Sequence, residues 1–256
     1  IVGSQGMPMM GPSFSPDPVF SRLMKSWGVE LKSSQYVGDK YLSGVGRFSP
    51  NQPPTRILGL LNCNRKCTQS FSEPITSGLD QLTFVFPGVL AVSPVEGLQA
   101  KAFMETTAKG NTYQASPQEL NNPRALWHKF SEGVEPVPLA FRIWGTFPSA
   151  FPQGPPKEVL PKDKSKANPH LSQSQKESAL VVFPDVDFIG DQFAFKNSFL
   201  GLTRANNNST LFLNALEALS GDVDLMGIRS KGSIDRSFDV ITQIEFAAEK
   251  RTANKV

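Results

Sequence analysis

Apolar positions along the chain recur in two rhythms, one helical and one extended. Val19, Phe20, Leu23, Met24 and Trp27 lie at helical spacing. Asp17 suits the cap of that helix, Pro18 its first position and Gly28 the residue after its end. The stripe is read as core packing. Short apolar or alternating runs follow at 56–61 (RILGLL), 82–86 (LTFVF), 88–92, 98–104 and 137–144 (VPLAFRIW), and each predicts a strand. Residues 73–78 are turn material, and a short helix is expected at 123–130.

Residues 153–178 break the pattern. They hold four prolines and a mixture of Lys, Asp and Glu, with Leu160 and Leu171 as the only leucines and no aromatic residue. This predicts an exposed, mobile loop. The run 179–183 (ALVVF) then reads as a strand buried on both faces, as in a parallel sheet. A helix is expected over 210–219, with Asn208 or Ser209 as its cap, Gly221 after its end, and Leu211, Phe212, Ala215, Leu216 and Leu219 on its apolar face. A strand at 225–229 and a final amphipathic helix to about residue 251 complete the reading. Strands alternating with helices predict an open α/β sheet. Only 78 residues follow the loop, so residues 1–256 are read as a single domain with a long insertion-like loop at 153–178.

Composition narrows the class. With 39% hydrophobic and 19% charged residues the chain suits a globular protein. A formal net charge of +3 predicts no nucleic-acid partner. No apolar run approaches the roughly 18–20 residues of a membrane helix. The start at Ile1 reads as the beginning of an excised or processed piece, so the location of the parent protein is not legible from these residues. The loop 6–12 holds three Met among Gly and Pro and is taken as an incidental loop.

The candidate chemistry is sparse. Cys63 and Cys67 form a C-x3-C pair with no second pair, half of a zinc site at most. They are read either as a local disulfide or as two free thiols. His128 and His170 are not spaced like metal ligands, and His128 has no nucleophile at a recognisable spacing. No metal and no cofactor are expected. There is no G-x-x-x-x-G-K-[ST] phosphate loop, so the chain is not an ATPase subunit, and no G-x-S-x-G or G-x-G-x-x-G occurs.

The sharpest pattern is the apolar strand running into Asp185-x-Asp187. In haloacid-dehalogenase-type phosphatases such a strand delivers a nucleophilic Asp and a proton-handling Asp beside Mg²⁺. Here the later Ser/Thr, Lys and acidic cluster are missing. The alternative is that the acids cap a following turn or helix at the carboxyl edge of the sheet, where α/β sheets place ligand crevices. Asp185, Asp187, Asp191 and Asn208 are the candidate ligand- or partner-binding residues. No catalytic residue is assigned. A Mg-dependent hydrolase using Asp185 and Asp187 is the second reading.

The stretches ALVVFPDVDFIGDQFAF and NNNSTLFLNALEALSGDVDLMGIRSKGSIDRSF resemble the GldG-type auxiliary component of ABC transporters linked to gliding motility. The matching positions are Asp185, Asp187, Asn208, Asn214, Ala215, Leu219, Gly221, Asp224, Leu225, Ile228 and Arg229. DPVFSRLMKSWGVEL, PITSGLDQLTFVFPGVLAV and PLAFRIWGTFPSAFPQG extend the resemblance over most of the chain. The Cys63/Cys67 loop departs from the family pattern, as do the absent terminal membrane helices. The resemblance implies a Rossmann-like, largely parallel sheet, like class I glutamine amidotransferase folds without their catalytic Cys. It also implies a non-catalytic, extracytoplasmic (periplasmic) domain, held by membrane helices outside these residues and associated with an ABC permease and ATPase.

Overall fold

The computed structural model describes residues 17–47, 53–68, 73–154, 170–199 and 201–221. The loop 6–12, most of 153–178, the strand at 225–229, the final helix, and the motif positions Asp224, Leu225, Ile228 and Arg229 lie outside the described residues.

Helix α1 (Pro18–Ser26) begins where its sequence signals place it. Asp17 Oδ1 accepts from the N–H of Val19 at 2.7 Å and of Phe20 at 3.2 Å. Gly28, at φ 75°, turns the chain into strand β1 (Val29–Gly38). A Cβ at Gly28 would collide with the carbonyl of Ser93, whose own N–H bonds Gly28 O at 2.8 Å. The apolar stripe of α1 is only partly covered. Met24 and Trp27 pack against Val29, Leu98 and Ile143, with Trp27 Nε1 donating to Pro148 O at 3.0 Å. Val19 and Phe20 stay exposed, so the expectation of a fully packed stripe fails at the first turn.

After β1 come β2 (Ser43–Gly46), β3 (Thr55–Cys63), β4 (Leu82–Val85), β5 (Gly88–Val92), β6 (Leu98–Glu105) and β7 (Asn111–Gln114). Helices α2 (Pro117–Leu120) and α3 (Pro123–Lys129) follow, then β8 (Pro138–Gly145) and β9 (Ser178–Val182). The described chain ends with helix α4 (Asp191–Ala194), the hairpin β10 (Phe195–Ser198) and β11 (Gly201–Arg204), and helix α5 (Asn208–Ser220). One-turn 3-10 helices occupy Arg65–Cys67, Pro74–Thr76 and Asp187–Ile189.

The strands form four small sheets in the orders β5-β1-β7, β2-β3-β4, β6-β8-β9 and β10-β11, and every pairing between these strands is antiparallel. This overturns the expectation of a Rossmann-like, largely parallel sheet. The reason is visible at β9. It joins β8 in register Phe141↔Val182 to Gly145↔Ser178, in the same sheet but running against its neighbour and standing, among the described strands, at the sheet edge. Its residues are exposed to half-buried rather than enclosed on both faces. A parallel sheet needs helical crossovers between successive strands. Here β8 and β9 are joined in part by a ladder: Ser149 N–H bonds Ser172 O, and Ser174 N–H bonds Phe147 O, each at 2.8 Å. The described end of the 153–178 segment is thus tied to the chain beyond β8.

The largest core cluster gathers Val37, Leu61, Phe84, Phe103, Met104 and Leu139 from the sheets with Phe188, Leu211 and Ala215 from beyond residue 178. Phe188 stacks on Phe84 with ring centroids 5.6 Å apart and meets Phe183 at 5.0 Å. Burying such side chains is the main favourable contribution, about 1.5–3 kcal/mol each. A second cluster, around Ile57, Leu60, Val85, Phe86, Leu120 and Leu126, seats α2 and α3 on β3.

Candidate functional site

Strand β4 pairs on one side with β3, where Phe84 stands opposite Leu61. Alternation turns the backbone groups of Gln81, Thr83 and Val85 to the other side, where no strand lies among the described residues. An open row of donors and acceptors is costly when buried and invites pairing when exposed. In this protein the row is filled by residues of the C-terminal segment.

Asn207 takes the first position. Its N–H donates to Gln81 O at 2.7 Å and its Oδ1 accepts from Gln81 N–H at 3.1 Å. Asn208 takes the second. Its Oδ1 accepts from Thr83 N–H at 2.9 Å while its Nδ2 donates to Thr83 O at 2.7 Å, as a neighbouring strand's peptide would. The other Nδ2 hydrogen reaches Phe188 O at 2.6 Å, and the residue is fully buried. Asp185 takes the third position: Oδ2 accepts from Val85 N–H at 2.6 Å and Oδ1 from Asp187 N–H at 2.8 Å. Asn206 steadies the loop, with Oδ1 accepting from Asn208 N–H and Nδ2 donating to Phe193 O.

The four candidate residues therefore separate. Asp185 and Asn208 each bond the outer edge of β4, at Val85 and Thr83, and are buried. Asp187 contributes its backbone N–H to Asp185, and its side chain is exposed and makes no hydrogen bond among the described residues. Asp191 is exposed at the first position of α4. The capping role expected of Asn208 or Ser209 is not what the structure shows. Asn207 stands at the N-cap without a side-chain cap bond, and Asn208 spends its amide on Thr83 and Phe188. Gly221 does end α5 in the left-handed conformation, at φ 83°.

Burial raises the Asp185 carboxyl to about 7, outweighing the opposing pull of the Val85, Asp187 and Phe188 N–H groups. A nucleophilic carboxylate must be ionised and open to its electrophile. Asp185 is enclosed, and both its oxygens are already engaged by peptide N–H groups. Asp187, the exposed partner, stands on a single 3-10 turn. No group of three or more His, Cys, Asp or Glu able to hold a metal ion occurs among the described residues.

Two structural carboxylate or amide clamps escaped the sequence reading. Asp39 is fully buried after β1. Its Oδ1 accepts from the N–H of Tyr41 and Leu42, and its Oδ2 from the N–H and hydroxyl of Thr107, at 2.7 to 3.3 Å. An Asp directly after a strand was the available signal, since Asp accepts from the backbone two residues on. Asn207 was legible only as part of a polar loop.

The arrangement thus puts a strand-completing set where the sequence suggested a ligand crevice. The family model for an ABC-type uncharacterized transport system, describing its auxiliary component, matches residues 2–215. That span covers most of the chain and includes β4, Asp185 and Asn208. The chain belongs to this ABC transport auxiliary family. No curated protein and no solved structure matches it. Membership places the auxiliary protein among the components of an ABC transport system. No helix of the described residues is long and apolar enough to cross a membrane.

Proposed function

We propose that the chain is the extracytoplasmic, non-catalytic domain of a GldG-type auxiliary subunit, acting by binding the permease and ATPase assembly of its own transport system. The observation that carries the non-catalytic part is the engagement of Asp185. The one carboxylate pair that resembled phosphatase chemistry is divided, with one member buried in backbone hydrogen bonds and the other left on the surface. The family match supports the transport role. The periplasmic location and the gliding-motility subtype follow from the resemblance of the motif residues Asp185, Asp187, Asn208, Asn214 and Gly221 to that subtype.

The full-length protein, expressed with its neighbouring transport genes and crosslinked in membranes, is expected to co-purify with a permease and an ATPase. A reporter fused to the domain is expected on the outer face of the inner membrane. Absence of both subunits from the crosslinked material would overturn the proposal. So would Mg²⁺-dependent hydrolysis of a generic phosphate ester that disappears in Asp187→Asn.

A further inference from the structure

Cys63 ends β3, and Cys67 ends the 3-10 turn that follows it. The turn is closed by Asn64. Its Oδ1 accepts from Lys66 N–H at 2.9 Å, and its carbonyl accepts from Cys67 N–H at 2.9 Å. This reversal sends both cysteine side chains into one apolar cluster with Val37, Leu61, Ile75 and Leu82, where they are 2% and 0% exposed. There the neighbouring Cys67 thiol, together with burial, holds the Cys63 thiol well above its ordinary range. Neither cysteine is in a disulfide in this structure. Two structural thiols packed separately in a core need not meet. Two that neighbour each other across a capped turn have the placement a two-electron dithiol couple needs.

We propose that Cys63 and Cys67 are a reversible disulfide site, oxidised by a small-molecule disulfide such as glutathione disulfide, that ties the end of β3 to the turn after it. One cysteine thiolate attacks one sulfur of the oxidant, forming a mixed disulfide and releasing one glutathione thiolate. The other cysteine thiolate then attacks the sulfur of the first, closing the protein disulfide and releasing the second glutathione thiolate. The protein gives up two electrons and the oxidant takes up two. The two cysteine protons pass, through solvent, to the departing thiolates. Because the folded chain buries both sulfurs and keeps Cys63 protonated, exchange runs while the turn is open, chiefly during folding. The site is independent of the transport role proposed above.

The test uses the full chain, unfolded and then refolded in glutathione buffers of graded oxidising strength, quenched in acid, alkylated and digested with trypsin. Arg65 and Lys66 lie between the cysteines, so the digest separates them unless a disulfide holds the peptides together. The expected result is one linked peptide pair that replaces the two alkylated peptides in a single two-electron transition. The oxidised chain should melt no lower than the reduced chain. Native reduced chain should oxidise at least about tenfold more slowly than unfolded chain. Cys67→Ser should yield only a glutathione adduct on Cys63. Alkylation of both cysteines at every ratio, stable glutathione adducts on both, or an oxidised chain that melts below the reduced one would each overturn the proposal.

Discussion

At the residue scale, Asp185 and Asp187 look alike in the sequence and differ in kind in the structure. Asp185 accepts two backbone N–H groups that have no other partner among the described residues, and Asp187 offers only its own. An Asn at 185 has one acceptor oxygen, so either Val85 or Asp187 N–H would face the amide nitrogen. A buried donor left unpaired costs about 1–3 kcal/mol. Asp185→Asn is therefore expected to lower the unfolding free energy by that amount in urea titrations, while Asp187→Ala stays within about 0.5 kcal/mol, as an exposed substitution does. Equal losses would mean that the two carboxylates share the load. The pH dependence carries its own sign. The folded-state carboxyl of Asp185 sits at about 7, above the ordinary 3.8. The folded protein thus holds this proton more tightly than the unfolded chain does. The contribution of this proton is complete below pH of about 4 and is lost as the pH climbs through about 7. Unfolding free energies measured at pH 4.5 and 8 should fall more steeply in the native sequence than in Asp185→Asn. A parallel pair of profiles would refute the assignment.

At the element scale, α5 shows what periodicity conveys and where it stops. The sequence marks its span to within two residues and its Gly221 end, and groups Leu211, Phe212, Ala215, Leu216 and Leu219 on one face. The structure buries Leu211 and Ala215 together with the polar Asn208 and Asn214, and leaves Phe212, Leu213, Leu216 and Leu219 partly exposed. The buried face is defined by the amides: Asn208 locks onto Thr83, and Asn214 Nδ2 donates to Ile75 O at 3.0 Å. A helix read by hydrophobicity alone is rotated, because apolar counting cannot see that an Asn is pairing with a strand. Leu211→Ala is expected to cost about 2–5 kcal/mol and Leu216→Ala no more than about 0.5 kcal/mol by thermal or urea unfolding. The reverse order would put the other face in the core. The same limit applies to the strands. β3, β4, β5, β6, β8 and β9 stand close to where apolar runs placed them. β1, with Lys32, Ser33, Ser34 and Gln35 along it, and the polar β7 and β10 do not announce themselves. They are held by their partners: Tyr36 and Val37 of β1 pair with Tyr113 and Thr112 of β7. Strand direction was the least legible property of all. An apolar run such as that of β9 predicts that a strand is extended and does not encode which neighbour it joins or which way that neighbour runs.

At the scale of the whole molecule, the segments on either side of residues 155–169 complete each other. The N-terminal side supplies β4 with an outer edge on which no described strand lies. The C-terminal side supplies Asn207, Asn208 and Asp185 to fill it, and adds Phe188, Leu211 and Ala215 to the core that holds Phe84, Phe103 and Leu139. β9 joins β8 across the same interval. Neither side alone would satisfy these groups, since separating them strips the Gln81, Thr83 and Val85 N–H groups of their acceptors while exposing apolar side chains to water. A protease site engineered within 155–169 therefore gives a definite expectation. After complete cleavage, the two fragments should co-elute as one species in size-exclusion chromatography and separate only in denaturant. Amide exchange at Thr83 and Val85 should stay slow in the cleaved complex. It should become fast when the C-terminal fragment is removed, because the acceptors of those hydrogens come from Asn208 and Asp185. Fragments that part under native conditions, or N–H groups at Thr83 and Val85 that remain protected in the isolated N-terminal fragment, would show that the edge of β4 is satisfied from elsewhere.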